Sequence, residues 1–111
     1  MTLDDSRLQQ IVRSIVAVPK PAAILLFGSY ARGDCREGSD VDLLVIQDRD
    51  FREGESRRKE LGLLYRAVSQ CCDTPKDIIL LTKGEFLSWK ETTNHIAAAA
   101  SREGRVIYGQ V

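Results

Sequence analysis

Apolar positions recur along the chain at two different periods, and the changes from one to the other mark its elements. Leu8, Ile11, Val12, Ile15 and Val16 stand at i, i+3, i+4, i+7 and i+8, one face of a helix, with Thr2 and Asp5 spaced as a capping box ahead of it. Pro19 and Pro21 end that helix. An unbroken apolar run, Ile24 to Phe27, then has the length of a strand and stops at Gly28; a second runs from Val41 to Ile46. Between them, Ser29 to Ser39 has room for one or two helical turns before Gly33 and Gly38 require a loop. Leu61, Leu64, Tyr65 and Val68 resume helical spacing up to Thr74 and Pro75, and Asp77 to Leu81 reads as a third strand. Thr82 and Glu85 form a capping box for a short helix, Ile96 to Ala100 lies in a last helix ending near Gly104, and Val106 to Tyr108 fits an edge strand. The order α-β-(α)-β-α-β-α-α-β predicts an α/β (α+β) mixed sheet with helices packed mainly on one face.

Composition narrows this picture without redirecting it. A length of 111 residues predicts a single domain over 1–111. Sixteen basic against sixteen acidic residues and 43% hydrophobic content argue against a nucleic-acid-coating or disordered chain, so no direct nucleic-acid binding is expected. No apolar run reaches the roughly 18–20 residues that cross a bilayer, which leads us to expect a cytoplasmic protein with no membrane contact. Cys35, Cys71 and Cys72 lack the spacing of a zinc site or a disulfide pair and are expected as reduced thiols. His95 reads as a surface residue, the mixed-charge run from Arg49 to Glu60 as a solvated loop and helix start, and Phe86 and Trp89 as core or interface residues. Arg32-Gly33-Asp34 spells an adhesion tripeptide, which a reduced intracellular domain has no extracellular partner to use.

The anomaly is a pair of acids in an apolar strand. Asp40 and Asp42 are one residue apart, so strand alternation turns them to the same face. Two carboxylates held close repel and lose hydration unless a cation, a proton or an arginine lies between them. Oxygen donors without a nearby imidazole or thiolate select Mg²⁺ or Mn²⁺, and Mg²⁺ uses one or two carboxylates together with substrate phosphates. Upstream, Gly28 and Ser29 stand where a strand gives way to a helical turn, a place where backbone N–H groups and a hydroxyl can meet a phosphate; Arg32, one turn on, can add charge-assisted bonds. No Walker A or dinucleotide fingerprint is present.

Gly28-Ser29, ten residues, then Asp40-Val41-Asp42, flanked by "LFGSYARGD" and "SDVDLLV", resembles the signature of minimal nucleotidyltransferases of the DNA polymerase β superfamily. The resemblance implies the single-domain polymerase-β-like nucleotidyltransferase fold and a third carboxylate from a neighbouring strand. Asp77 matches that position, with Asp73 as its rival. Asp40, Asp42 and Asp77 would then be the catalytic and metal-holding residues, and Gly28, Ser29, Arg32 and Ser39 the nucleotide-binding ones. The implied reaction is transfer of AMP from ATP to a hydroxyl, with Asp77 taking the proton. Larger relatives carry a helical domain that helps bind the acceptor, and here a partner is expected to present it. Minimal members resemble the antitoxin half of pairs whose other half is a helical HEPN ribonuclease, which makes a tyrosine of such a toxin the implied acceptor within a hetero-oligomer. Two alternatives stand beside this: a non-catalytic module that neutralises a HEPN partner by contact, and a small-molecule nucleotidyltransferase.

Overall fold

The computed structural model describes residues 5–17, 21–33, 40–48, 56–71, 74–91 and 96–110. Thr2, Cys35, Gly38, Cys72 and His95 lie outside them. In chain order the elements are α1 (Asp5–Ala17), β1 (Ala23–Phe27), α2 (Ser29–Arg32), β2 (Val41–Gln47), α3 (Arg57–Ser69), β3 (Lys76–Thr82), α4 (Lys83–Trp89), α5 (Ile96–Glu103) and β4 (Arg105–Gly109). The strands form one mixed sheet in the order β3-β2-β1-β4, antiparallel on both sides of β1 and parallel between β2 and β3. The connection between the two parallel strands runs through α3, as a parallel pair requires.

Alternation along the strands separates two apolar layers. Ile24 and Leu26 of β1, Val41, Leu43 and Val45 of β2, and Ile78 and Leu80 of β3 pack against Leu8, Ile11 and Ile15 of α1 and Leu64 and Val68 of α3. The other parity, Ala23, Leu25, Phe27, Leu44, Ile46 and Leu81, packs with Phe86 of α4 and Ala100 of α5. The two thirteen-residue helices thus share one face, the longer cover expected on one side, while the shorter pair gives the second face a core of its own. Ile11 and Ile15 are completely buried, each such side chain being worth roughly 1.5–3 kcal/mol of transfer free energy. Phe86 joins the core as expected, whereas Leu87 and Trp89 stay exposed.

Capping places the helices at the ends of the strands. Ser56, extended at φ −127° and ψ 124°, accepts a bond from the Lys59 N–H and starts α3. The box expected at α4 is formed: the Glu85 N–H donates to Thr82 Oγ1 at 3.1 Å and the Thr82 N–H to Glu85 Oε1 at 2.9 Å. Arg57 at the head of α3 pairs with the same carboxylate at 2.7 Å. Partial burial pushes the Glu85 pKa up, but the hydrogen bond from Arg57, the Thr82 bonds and the guanidinium charge together outweigh it and hold the group below the usual carboxylate value. The Cys71 thiol is free, as expected, and donates to the Val68 carbonyl at 3.4 Å.

Candidate active site

β1 ends at Phe27 because the next residue turns the chain. Gly28 sits at φ +72°, in the left-handed region, and the Ala31 N–H donates to its carbonyl at 3.1 Å, closing the first turn of α2. Space also excludes other residues there. A Cβ on Gly28 would lie 2.1 Å from Asp42 Oδ2 and 3.1 Å from its Cγ, so the carboxylate occupies the volume that a side chain would need. Ser29 is the first residue of α2 and Arg32 its last, one turn apart, and Gly33 at φ +82° follows. The expected roles of the Ser29 and Arg32 side chains, and of Ser39 as a whole, fall outside the described residues.

Sheet pairing supplies the rest of the geometry. Asp42 is opposite Phe27 of β1 in the antiparallel ladder and opposite Asp77 of β3 in the parallel one. Residues in register on adjacent strands turn to the same face, about 4.8 Å apart between strands, so Asp42 and Asp77 stand side by side. Both share the parity of Leu44 and Ile79, the face covered further along by α4 and α5. Asp40, exposed and immediately before β2, is two residues from Asp42 and continues the row. The structure therefore aligns Asp40, Asp42, Asp77 and Gly28 at one end of the sheet; Asp73, the rival third acid, is outside the described residues.

Among the described residues no three carboxylate, thiol or imidazole side chains are gathered closely enough to enclose a metal ion. Asp42 Oδ2 fills the space beside Gly28, and Asp77 Oδ1 is 3.4 Å from the Tyr65 hydroxyl. The donor set nevertheless fits a hard divalent cation. It is all oxygen, two of its members are in register, and Mg²⁺ completes its shell with phosphate oxygens and water.

One participant escaped the sequence reading. Tyr65 counts there as part of the apolar face of α3, but its hydroxyl accepts the Ile78 N–H at 2.9 Å and donates toward Asp77. The available signal was a lone phenol on an otherwise aliphatic stripe, since a buried tyrosine usually finds a partner for its hydroxyl.

A row of carboxylates on a mixed sheet, facing a strand-glycine-helix turn, fits the needs of phosphoryl transfer, a divalent cation held beside a phosphate. The chain belongs to the nucleotidyltransferase domain family, whose model matches residues 6–100. It is 34% identical over 85 residues, 77% of this chain and 76% of the relative, to a Methanocaldococcus jannaschii protein provisionally named a protein adenylyltransferase. Three solved structures share the fold. One is a provisionally assigned nucleotidyltransferase from Sulfolobus solfataricus, with a TM-score of 0.56 and 21% identity over 95% of this chain and 79% of that one. A toxin–antitoxin structure with AMP-PNP has a TM-score of 0.63 and 20% identity over 97% and 75%. A mutant of the MntA–HpeT toxin–antitoxin has a TM-score of 0.64 and 18% identity over the same shares. The chain is thus a nucleotidyltransferase with the mixed α/β fold of those structures. No helix among the described residues is long and apolar enough to cross a membrane.

Proposed function

We propose that this protein, acting as one domain in the cytoplasm, is a Mg²⁺-dependent adenylyltransferase that moves AMP from ATP to a tyrosine hydroxyl of a HEPN ribonuclease toxin and so serves as its antitoxin. The observation that carries this reading is the register of Asp42 with Asp77 beside Gly28. The adenylyltransferase name of the archaeal relative and the toxin–antitoxin structures of the same fold support the substrate and the partner.

In this mechanism the turn at Gly28 and Ser29, with Arg32, holds the β- and γ-phosphates, and Ser39 adds to the nucleotide contacts. Asp40, Asp42 and Asp77 would hold Mg²⁺, or Mn²⁺ in its place, and the cation would supply charge neutralisation at the triphosphate and at the leaving pyrophosphate. Asp77 accepts the proton of the acceptor hydroxyl. The acceptor oxygen forms its bond to the α-phosphorus as the bond from that phosphorus to the bridging oxygen breaks, and pyrophosphate leaves in line.

The test is transfer of label from α-labelled ATP to the purified partner with Mg²⁺ present. Asp42→Asn should lower the label at least about a hundredfold, the scale of losing one preorganised group that stabilises developing charge. Undiminished label with this variant would overturn the reading. Neutralisation of the partner by wild-type protein without any label would replace it by the contact-only antitoxin.

A further inference from the structure

Asp77 is exposed and lies near the start of an outer strand, a poor place from which to hold a carboxylate still. A free aspartate there samples several rotamers, whereas proton transfer and cation binding both need one. Tyr65 supplies what the strand does not. Its ring packs with the α1/α3 layer, and its hydroxyl reaches the edge of β3. Ile78 is buried at 2% exposure, and because β3 is an outer strand among the described residues, an N–H turned away from β2 needs a partner from elsewhere. The Tyr65 oxygen is that partner, at 2.9 Å.

The bond has a directional consequence. A hydroxyl has one proton and two lone pairs, and accepting the Ile78 N–H leaves the proton to point elsewhere. Asp77 Oδ1, at 3.4 Å, is where it goes. The contact is long for an O–H···O bond, which is usual for hydrogen bonds in catalytic sites before substrate tightens them. With Oδ1 engaged, the second carboxylate oxygen is the one offered to a cation or an acceptor proton. Carboxylate ligands are commonly oriented in this way by a hydrogen-bond donor behind them.

We propose that Tyr65 is a positioning residue for nucleotidyl transfer: anchored by the Ile78 N–H, its hydroxyl holds one oxygen of Asp77 and so sets the carboxylate beside Asp42. This rests on the assignment of Asp77 in the proposed function. A tyrosine that merely covered the sheet edge would serve stability and leave the cation site untouched.

The experiment compares Tyr65→Phe and Asp77→Asn with wild type by three measurements: thermal melting, Mn²⁺ binding in the presence of a non-hydrolysable ATP analogue followed by electron paramagnetic resonance, and steady-state transfer. Tyr65→Phe keeps the ring and should still fold. It should weaken Mn²⁺ binding about tenfold, within the 10–100-fold typical of losing a group that orients a metal ligand, and lower kcat by a similar factor with KM for the acceptor unchanged. A lower melting temperature with wild-type Mn²⁺ affinity and kcat overturns the inference and leaves Tyr65 an edge cap. If Asp77→Asn itself retains wild-type Mn²⁺ affinity and transfer, the assignment of Asp77 fails instead, so the two failures are told apart. Should Tyr65→Phe not fold, a fluorinated tyrosine placed at position 65 preserves the shape and strengthens the donor. A Mn²⁺ affinity shifted at least twofold then supports the inference, and an unchanged one overturns it.

Discussion

Gly28 and Gly33 flank α2 in nearly the same backbone state, φ +72° and +82°, yet their surroundings differ completely. A Cβ at Gly33 meets nothing within 4 Å, while one at Gly28 would lie 2.1 Å from Asp42 Oδ2. Alanine at either position therefore incurs the left-handed penalty, about 1–2 kcal/mol, and only at Gly28 does it also displace a carboxylate. The strand cannot easily retreat, since the ladder pairs Phe27 with Asp42 and both neighbouring strands hold β2. The side chain of Asp42 must rotate, at about 0.5–1.5 kcal/mol if it is forced off a rotamer, and it leaves the place it holds beside the turn. Both variants should melt lower, by roughly 4–8 °C per kcal/mol for a domain of this size. Transfer should separate them: Gly33→Ala keeps activity near wild type below its melting point, and Gly28→Ala loses at least about tenfold, equivalent to roughly 1.4 kcal/mol in the barrier. Differential scanning fluorimetry and label transfer on the same preparations read both quantities. Wild-type turnover by Gly28→Ala, or equal losses by the two variants, would refute the idea that the glycine exists to admit the Asp42 carboxylate.

Two further outcomes follow from the opposite end of β3. Thr82→Ala removes the side-chain cap of α4 and should cost about 1 kcal/mol, read as a lower urea midpoint at unchanged slope, with transfer unaffected because Thr82 is at the far end of the strand from Asp77. Glu85 has its pKa lowered in the folded chain, so its ion pair contributes above the unfolded carboxylate pKa and is lost as pH falls through the depressed folded value. Wild type should melt above Glu85→Gln at neutral pH and converge with it in acid. The gap should stay within about 1 kcal/mol, because the partners are 44% and 32% exposed and solvent screens them.

Much of this architecture is written locally. The helical stripe of α1, the Thr82 box and the strand lengths depend on neighbours a few residues away, and they form as expected. The spacing of Gly28, Ser29, Asp40 and Asp42 is likewise visible because β1 and β2 are adjacent in both sequence and space. Two-sided burial also has a local signal, since all five residues of β1 are buried and an unbroken apolar run implies cover on both faces. The pairing of Asp42 with Asp77 had no comparable signal, because register between strands separated by a helix depends on how that helix packs. The Tyr65 contacts are hidden for the same reason, since they join α3 to a strand edge twelve and thirteen residues further on.

That register is also where stability and function meet. In most sheets a slip by one residue is prevented because it would turn apolar side chains to water. In β3 that safeguard is weak: Ile78 and Leu80 face one apolar layer and Ile79 and Leu81 face the other, so a slipped strand would still bury aliphatic groups on both sides. What a slip would change is the polar start of the strand. A slip that carried Asp77 into the place of Ile78 would turn it into the α1/α3 layer, where burying an unpaired carboxylate costs several kcal/mol, and the Ile78 N–H would lose the Tyr65 hydroxyl. The Val41 N–H, which donates to the Pro75 carbonyl at 2.8 Å, holds the same alignment from the other strand. A slip in that direction is thus opposed by the charge of Asp77 itself, so the carboxylate proposed for chemistry also helps to specify the pairing that sets it beside Asp42.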